Sequence, residues 1–228
     1  MRNTRLAALS LACALLAAGG CTSGDGKQDR TRRESQACTK LLGKEGMAWL
    51  KEHTTVPKLN PNTSETIAHA RSKFRKQVPD WKPEETDIIR HTARSVMCDA
   101  RNPKRGAAAE FTLAYSAAAL PFDEFPGPNT MWTSVSLGPD AKLVYRKSRY
   151  LDLRKYYVYV RCGVPGASAS QLNDVTLEGG MTDLLTDDLN SYRTHLQLLL
   201  HSAKVMADAF KCTNKPQIPA NLPSSIKD

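Results

Sequence analysis

No apolar run in this chain of 228 residues reaches the roughly 20 that an ordinary helix needs to span a bilayer. The longest candidate, Leu6 to Gly20, ends after 15 residues without a charge, so a permanent transmembrane anchor is not expected. The nucleophile elbow G-x-S-x-G, the zinc-protease signature H-E-x-x-H, the phosphate loop and the dinucleotide fingerprint G-x-G-x-x-G are all missing, which removes the local signatures of the commonest hydrolases and nucleotide enzymes. No C-x-x-C pair offers the closely spaced thiolates that structural zinc prefers. After residue 37 there is no internal repeat, low-complexity block or second linker, so residues 38–228 read as one domain, preceded by the segments 1–20 and 21–37.

The first of those segments has the build of an export signal. Arg2 and Arg5 form a short positive start, and Leu6 to Ala18 form an apolar run interrupted only by Ser10. The two arginines are not adjacent, which argues against a twin-arginine route. The run closes in Ala17-Ala18-Gly19-Gly20-Cys21, small residues and then a cysteine. That ending resembles the lipobox of bacterial lipoproteins, with Ala18 where leucine is usual. The resemblance implies a signal peptide of residues 1–20, lipidation (palmitate included) at Cys21, and a chain held at the extracytoplasmic face of the cell membrane. An ordinary secretory signal that leaves a soluble secreted protein is the other reading.

Residues 22–37 are dominated by Ser, Gly, Asp, Gln, Lys and Arg and show no apolar periodicity, so they read as a polar tether. The net charge is +9, and removing Arg2 and Arg5 with the signal leaves 30 basic against 23 acidic residues. Outside a cell such an excess points to phospholipid head groups or wall polymers as partners and away from nucleic acid. Setting aside Cys13 and Cys21, four cysteines remain: Cys38, Cys98, Cys162 and Cys212. An even number, widely spaced, predicts two structural disulfides in an exported chain. Of three connectivities, Cys38 with Cys98 and Cys162 with Cys212 is favoured, because the pairs bracket the N-terminal helices and the C-terminal half.

Leu41 to Glu52 has near-helical apolar spacing despite Gly43 and Gly46. Asn62 with Glu65 resembles a capping box, and Ile67, Ala70, Phe74 and Val78 form the stripe of a second helix ending before Pro79. A third helix is predicted from Pro83 to about Ala100. Beyond Gly106 the period becomes alternating, giving strands around Phe111 to Tyr115, Met131 to Leu137, Leu143 to Tyr145 and Tyr156 to Val164, with a hairpin turn at Gly138 to Ala141. A long helix from near Asp187 to about Lys211 follows, with Leu196, Leu199, Leu200, Ala203, Met206 and Phe210 on its apolar face. The tail after Pro216 is expected to lie extended over the surface. Helices, then a mostly antiparallel sheet, then a helix packed on it make an α+β fold.

Three sets of polar residues stand out. His195 and His201 are six apart on one helix, so they cannot share a metal and are expected to be structural or surface histidines. Asp183, Asp187 and Asp188 precede the last helix, where capping accounts for them better than calcium does. Ser224 and Lys227 have the Ser-x-x-Lys spacing but fall in the polar tail, where nothing desolvates the lysine. No cofactor or metal is expected. The most distinctive stretch is Tyr145 to Arg161, where Arg146, Lys147, Arg149, Arg154, Lys155 and Arg161 alternate with Tyr145, Tyr150, Tyr156, Tyr157 and Tyr159. One reading is a contact surface made of Arg146, Lys147, Arg149, Arg154, Lys155, Tyr156 and Tyr159, offering guanidinium groups to phosphate or carboxylate and rings to sugars. The other is a sheet edge kept from mispairing by its charges.

As a whole the chain resembles the uncharacterised lipoproteins of actinomycetes, through its signal, Ala18-Gly19-Gly20-Cys21, the polar tether and a cysteine-stapled domain. The expected role is a non-enzymatic binding module for an anionic envelope component or a protein partner. The competing expectations are an envelope enzyme whose site is assembled from distant residues, and a regulatory lipoprotein docking on an extracytoplasmic sensor.

Overall fold

The computed structural model describes residues 25–54, 65–80, 93–102, 104, 110–118, 120–124, 131–146, 154–186 and 192–226, with side chains from Ala37 onward in the first segment and as far as Val78 in the second. Cys21 and the signal lie outside the described residues, as do Asn62 and Lys227.

The elements in chain order are α1 (Asp25–Glu52), α2 (Ile67–Asp80), β1 (Ser95–Arg101), β2 (Glu110–Ala117), β3 (Thr133–Ser136), β4 (Ala141–Tyr145), β5 (Lys155–Val160), α3 (Gln171–Asp174), β6 (Leu177–Asp183) and α4 (Tyr192–Phe210). Among the described residues no helix is long and apolar enough to cross a membrane. The six strands form one sheet in the order β1-β2-β6-β5-β4-β3, and every neighbouring pair is antiparallel. The fold is α+β, with α4 packed on the sheet.

Alternation puts Phe111, Leu113, Tyr115, Leu143, Tyr145, Tyr156, Val158, Leu177 and Met181 on one face, where they meet the stripes of the three long helices in a single core. Leu41, Leu42 and Leu50 of α1, Phe74 and Val78 of α2, and Leu199, Leu200, Met206 and Phe210 of α4 are all buried there. Phe74 meets Phe210 with ring centroids 5.5 Å apart. α1 kinks at Gly43 (φ 71°, ψ 174°) and presses Gly46 against α4, where a Cβ would stand 2.4 Å from Leu198 Cδ2. The helical backbone of α1 begins inside the segment read as a tether.

Both expected disulfides are present, Cys38 with Cys98 and Cys162 with Cys212, at Cα separations of 5.1 and 4.8 Å. The first ties α1 to β1, and the second ties the end of β5 to the end of α4.

Two local expectations need correction. The third helix does not extend to Ala100: Ser95–Arg101 is β1, and Val96, Met97 and Cys98 follow the sheet, with a register irregularity between Val96 and Cys98, while residues 83–92 lie outside the described residues. The bulge buries Met97 and Cys98 side by side, a pattern that in sequence reads as helical spacing. The second helix is capped by Thr66, whose Oγ1 accepts from His69 N at 3.1 Å, while Glu65 instead accepts from Lys73 Nζ at 3.2 Å. That helix also runs past Pro79, to Asp80.

The sequence reading passed over β6, the strand between β2 and β5. Gly179 and Gly180 hide its alternation, although Leu177 and Met181 face the core. A Cβ at Gly179 would meet Tyr115 Cε1 at 2.6 Å and Val158 Cγ1 at 2.8 Å, so the glycine leaves room for its neighbours' larger side chains. The tail is extended as expected but well anchored. Ile218, Leu222 and Ile226 are buried, and Gln197 of α4 donates to Ala220 O and accepts from Leu222 N.

Candidate functional site

The basic, tyrosine-rich stretch is divided by the sheet. Arg154 and Tyr156 are 2% and 1% exposed and belong to the helix side of the sheet, as core residues rather than contact residues. Tyr159 is buried on the opposite face, Lys155 is exposed there, and Arg146 is half-buried. Lys147, Arg149 and Tyr150 lie outside the described residues. The edge reading does not fit β5 either, because it lies inside the sheet between β4 and β6.

Arg154 serves a buried polar knot. Its Nη2 donates to Thr186 O at 2.9 Å, and its Nη1 lies 4.0 Å from Asp183 Oδ2. Asp183 also receives Leu185 N, Thr186 N, the Thr186 hydroxyl and His195 Nε2. Tyr156 stacks on the His195 ring at 4.7 Å and Trp49 meets it edge-on at 4.9 Å. Burial alone would raise the Asp183 carboxyl, but the bonds from His195 and Thr186 outweigh it and hold it at about 2. Asp183 holds the turn that ends β6, accepting from Leu185 N and Thr186 N; Asp187 and Asp188 lie outside the described residues, and the described part of the last helix starts at Tyr192. His195 is a structural histidine and His201 is exposed. With both side chains at 0% exposure, the Asp183 and His195 pair has no space for a substrate beside it.

The other face of the sheet has a different character. Its apolar cluster, Ala118, Phe122, Val144 and Tyr159 with Trp132 and Tyr157 packed against it, takes no residue from any described helix. The register explains its relief. Around Tyr157 the paired positions are small, Gly180 on β6 and Val144 on β4, with Ala114 beyond Gly180 on β2. The next row is polar, and large apart from Ser116: Ser116, Glu178, Tyr159 and Lys142.

Arg94, just before β1, reaches across this shallow floor. Its Nη2 meets Glu178 Oε1 at 2.7 Å, its guanidinium carbon lies 5.9 Å from the Tyr157 ring centroid, and Nη1 is 3.7 Å from where a Gly180 Cβ would be. The Arg94 side chain is still 50% exposed, whereas that of Glu178 is 10% exposed. Burial pushes the Glu178 carboxyl up, with Arg94 and Tyr159 pulling it back. Trp132 meets Tyr157 edge-on at 5.5 Å, and Tyr159 stacks beside Tyr157 at 6.4 Å.

The far end of the face is committed to structure. Lys142 Nζ donates to Phe122 O and lies 4.7 Å from the Phe122 ring and 5.6 Å from the Tyr159 ring. Arg161 covers Phe122 at 4.1 Å and pairs with Asp123 at 3.2 Å. These two cations pin residues 120–124 to the sheet. Burial lowers the Lys142 pKa, and Arg161 lowers it further against the opposing pull of Asp123.

Comparison with known protein families, curated proteins and solved structures finds no match. What this face can bind therefore follows from its own residues. Arg94 offers a half-exposed planar donor set beside partly exposed Tyr157 and Trp132 rings, with exposed Lys155 two residues along the strand. That combination suits a ligand carrying both negative charge and apolar ring faces, such as an anionic sugar.

The sequence reading missed Arg94, Trp132 and Glu178. Arg94 fell inside the end of the expected third helix, which is coil and strand instead, and Glu178 inside the unrecognised strand. The signal was Leu177, Gly179 and Met181 alternating with Glu178 and Gly180, legible once the glycines are taken as strand positions.

A cleft of about 510 Å³ between α2 and residues 164–175 offers less. Its Arg75 donates to Phe210 O, and its Gln171 bonds Cys162 O, Val175 O and Val164 N. Among the described residues no group of three His, Cys, Asp or Glu is placed to hold a metal ion.

Proposed function

We propose that this protein is an exported, lipid-anchored binding module that takes an anionic glycan of the cell envelope on the face of its sheet opposite the described helices. The observation that carries the reading is the juxtaposition of the half-exposed Arg94 guanidinium with the Tyr157 and Trp132 rings over the small floor at Gly180. Arg94 supplies a charge-assisted hydrogen bond to carboxylate or phosphate, and the rings supply stacking area for a sugar. Lys155 and Arg146 add positive potential at the margin. The anchor is Cys21, after the lipobox-like Ala18-Gly19-Gly20, and it keeps this face within reach of wall polymers.

The test is co-sedimentation of the exported, oxidised chain carrying Cys21→Ser with purified cell-wall sacculi and, separately, with anionic liposomes, at low and high salt. Binding to sacculi that salt weakens, and that falls at least several-fold with Arg94→Ala and with Tyr157→Ala, supports the reading. Sacculi that leave the protein in the supernatant at low salt sink it. Retention on liposomes alone moves the ligand to lipid head groups.

A further inference from the structure

The two edges of the sheet are unlike. β1 is bulged at Met97, tied to α1 by Cys38 and Cys98, and flanked by Arg101 with Asp99 and Glu110. Such features keep an edge from pairing with another chain. β3, Thr133-Ser134-Val135-Ser136, has none of them. It pairs regularly with β4, carries no charge and no proline, and is exposed at Thr133, Ser134 and Ser136. No described segment pairs with its outer side.

Its backbone is oriented for pairing. Leu137 N donates to Ala141 O at 2.9 Å, so by antiparallel alternation Val135 and Thr133 turn their N–H and C=O toward β4, and Ser134 and Ser136 turn theirs outward. Charge does not oppose a like chain here. Among 32 Lys and Arg residues, none falls between Arg105 and Lys142.

We infer that β3 is a self-docking edge, on which a second copy of this chain adds its own β3 antiparallel to extend the sheet. The outward residues set the register. Ser134 stands opposite Ser136 of the second copy and exchanges both backbone hydrogen bonds with it, and the two-fold axis passes through Val135, which faces its own copy. That register covers Val135 and Leu137, both only partly buried at the rim of the core. It also sets Met131, 70% exposed, against Pro139 of the second copy. The ends are complementary. Arg146 Nη2 sits on Met131 Sδ at 2.9 Å at one end of the edge, and Asp140 lies at the other, so antiparallel pairing brings basic end to acidic end. So short an edge falls below the roughly 1,200 Å² of stable interfaces, and the expected Kd is about 10 to 100 µM.

The test is sedimentation equilibrium of the exported, oxidised chain carrying Cys21→Ser, from about 5 to about 500 µM, a range that brackets that Kd. The weight-average mass is expected to rise toward twice the monomer's. Ser134→Pro removes an outward N–H and leaves the bonds to β4 in place, and it is expected to weaken association at least tenfold with the thermal midpoint kept. On oxidation Val135→Cys is expected to form a disulfide between copies. A chain that stays monomeric at the highest concentration overturns the inference, and so does a dimer that Ser134→Pro leaves unchanged.

Discussion

His195 Nε2 meets Asp183 Oδ2 at 2.6 Å with both side chains fully shielded from water. The pair joins the end of β6 to the first turns of α4, and Arg154 reaches the same carboxylate from the residue before β5. Removing the acid leaves the buried Arg154 guanidinium and the His195 ring without the carboxylate that they share. Asp183→Asn is therefore expected to destabilise the fold by about 3–5 kcal/mol, read by urea denaturation at neutral pH.

The same carboxylate sets part of the acid sensitivity. Its folded pKa, about 2, lies below the ordinary value of 3.8. The stabilisation is complete above the unfolded value and is lost as pH falls from about 4 through 2, amounting to roughly 2–3 kcal/mol. Urea midpoints at steps between pH 6 and pH 2 should show this loss in the parent chain, and a much shallower one in Asp183→Asn.

Gly179 and Gly180 are adjacent on β6 and should respond differently to the same methyl group. A Cβ at Gly179 stands 2.6 Å from Tyr115 and 2.8 Å from Val158, both in the core, whereas at Gly180 the nearest atom is Tyr157 Cε1 at 3.4 Å. Gly179→Ala is expected to cost about 1–3 kcal/mol, and Gly180→Ala less than about 1 kcal/mol. Equal thermal midpoints for the two variants would contradict this account of the strand.

The disulfides close segments with sequence separations of 60 and 50. In the chain-entropy model each contributes about 4 kcal/mol. Cys38→Ser with Cys98→Ser, and Cys162→Ser with Cys212→Ser, should each lower the urea midpoint by a similar amount, with the mass of the oxidised parent showing both bonds closed.

Glu178 holds Arg94 against the sheet at 2.7 Å, and its carboxylate competes with any anion brought to that guanidinium. Glu178→Gln keeps the shape and removes the charge. Affinity for sacculi is expected to rise about three- to tenfold at neutral pH, the scale of a partly exposed ion pair. A fall in binding would mean that Glu178 itself contacts the ligand.

Some of this protein was legible in its residues alone. The stripes of α1, α2 and α4, the alternation of β2, β4 and β5, the hairpin at Gly138 to Ala141 and both disulfide pairings follow from local periodicity and from cysteine spacing, because burial on one side writes a period into a helix or strand.

Tertiary structure decided what depends on neighbours distant along the chain. Val96, Met97 and Cys98 form a strand because β2 pairs with them, and a bulge there imitates helical spacing. Leu177 to Asp183 forms a strand because Tyr115, Tyr157 and Val158 fill the space that two glycines leave empty. The charge of Arg154 was plain in sequence, but its burial against Asp183 and Thr186 was not. Arg94 became a candidate contact only when β1, β5 and β6 brought it to Tyr157 and Glu178. A side chain's charge and ring are local properties, whereas its exposure is set by which distant segments pack against it.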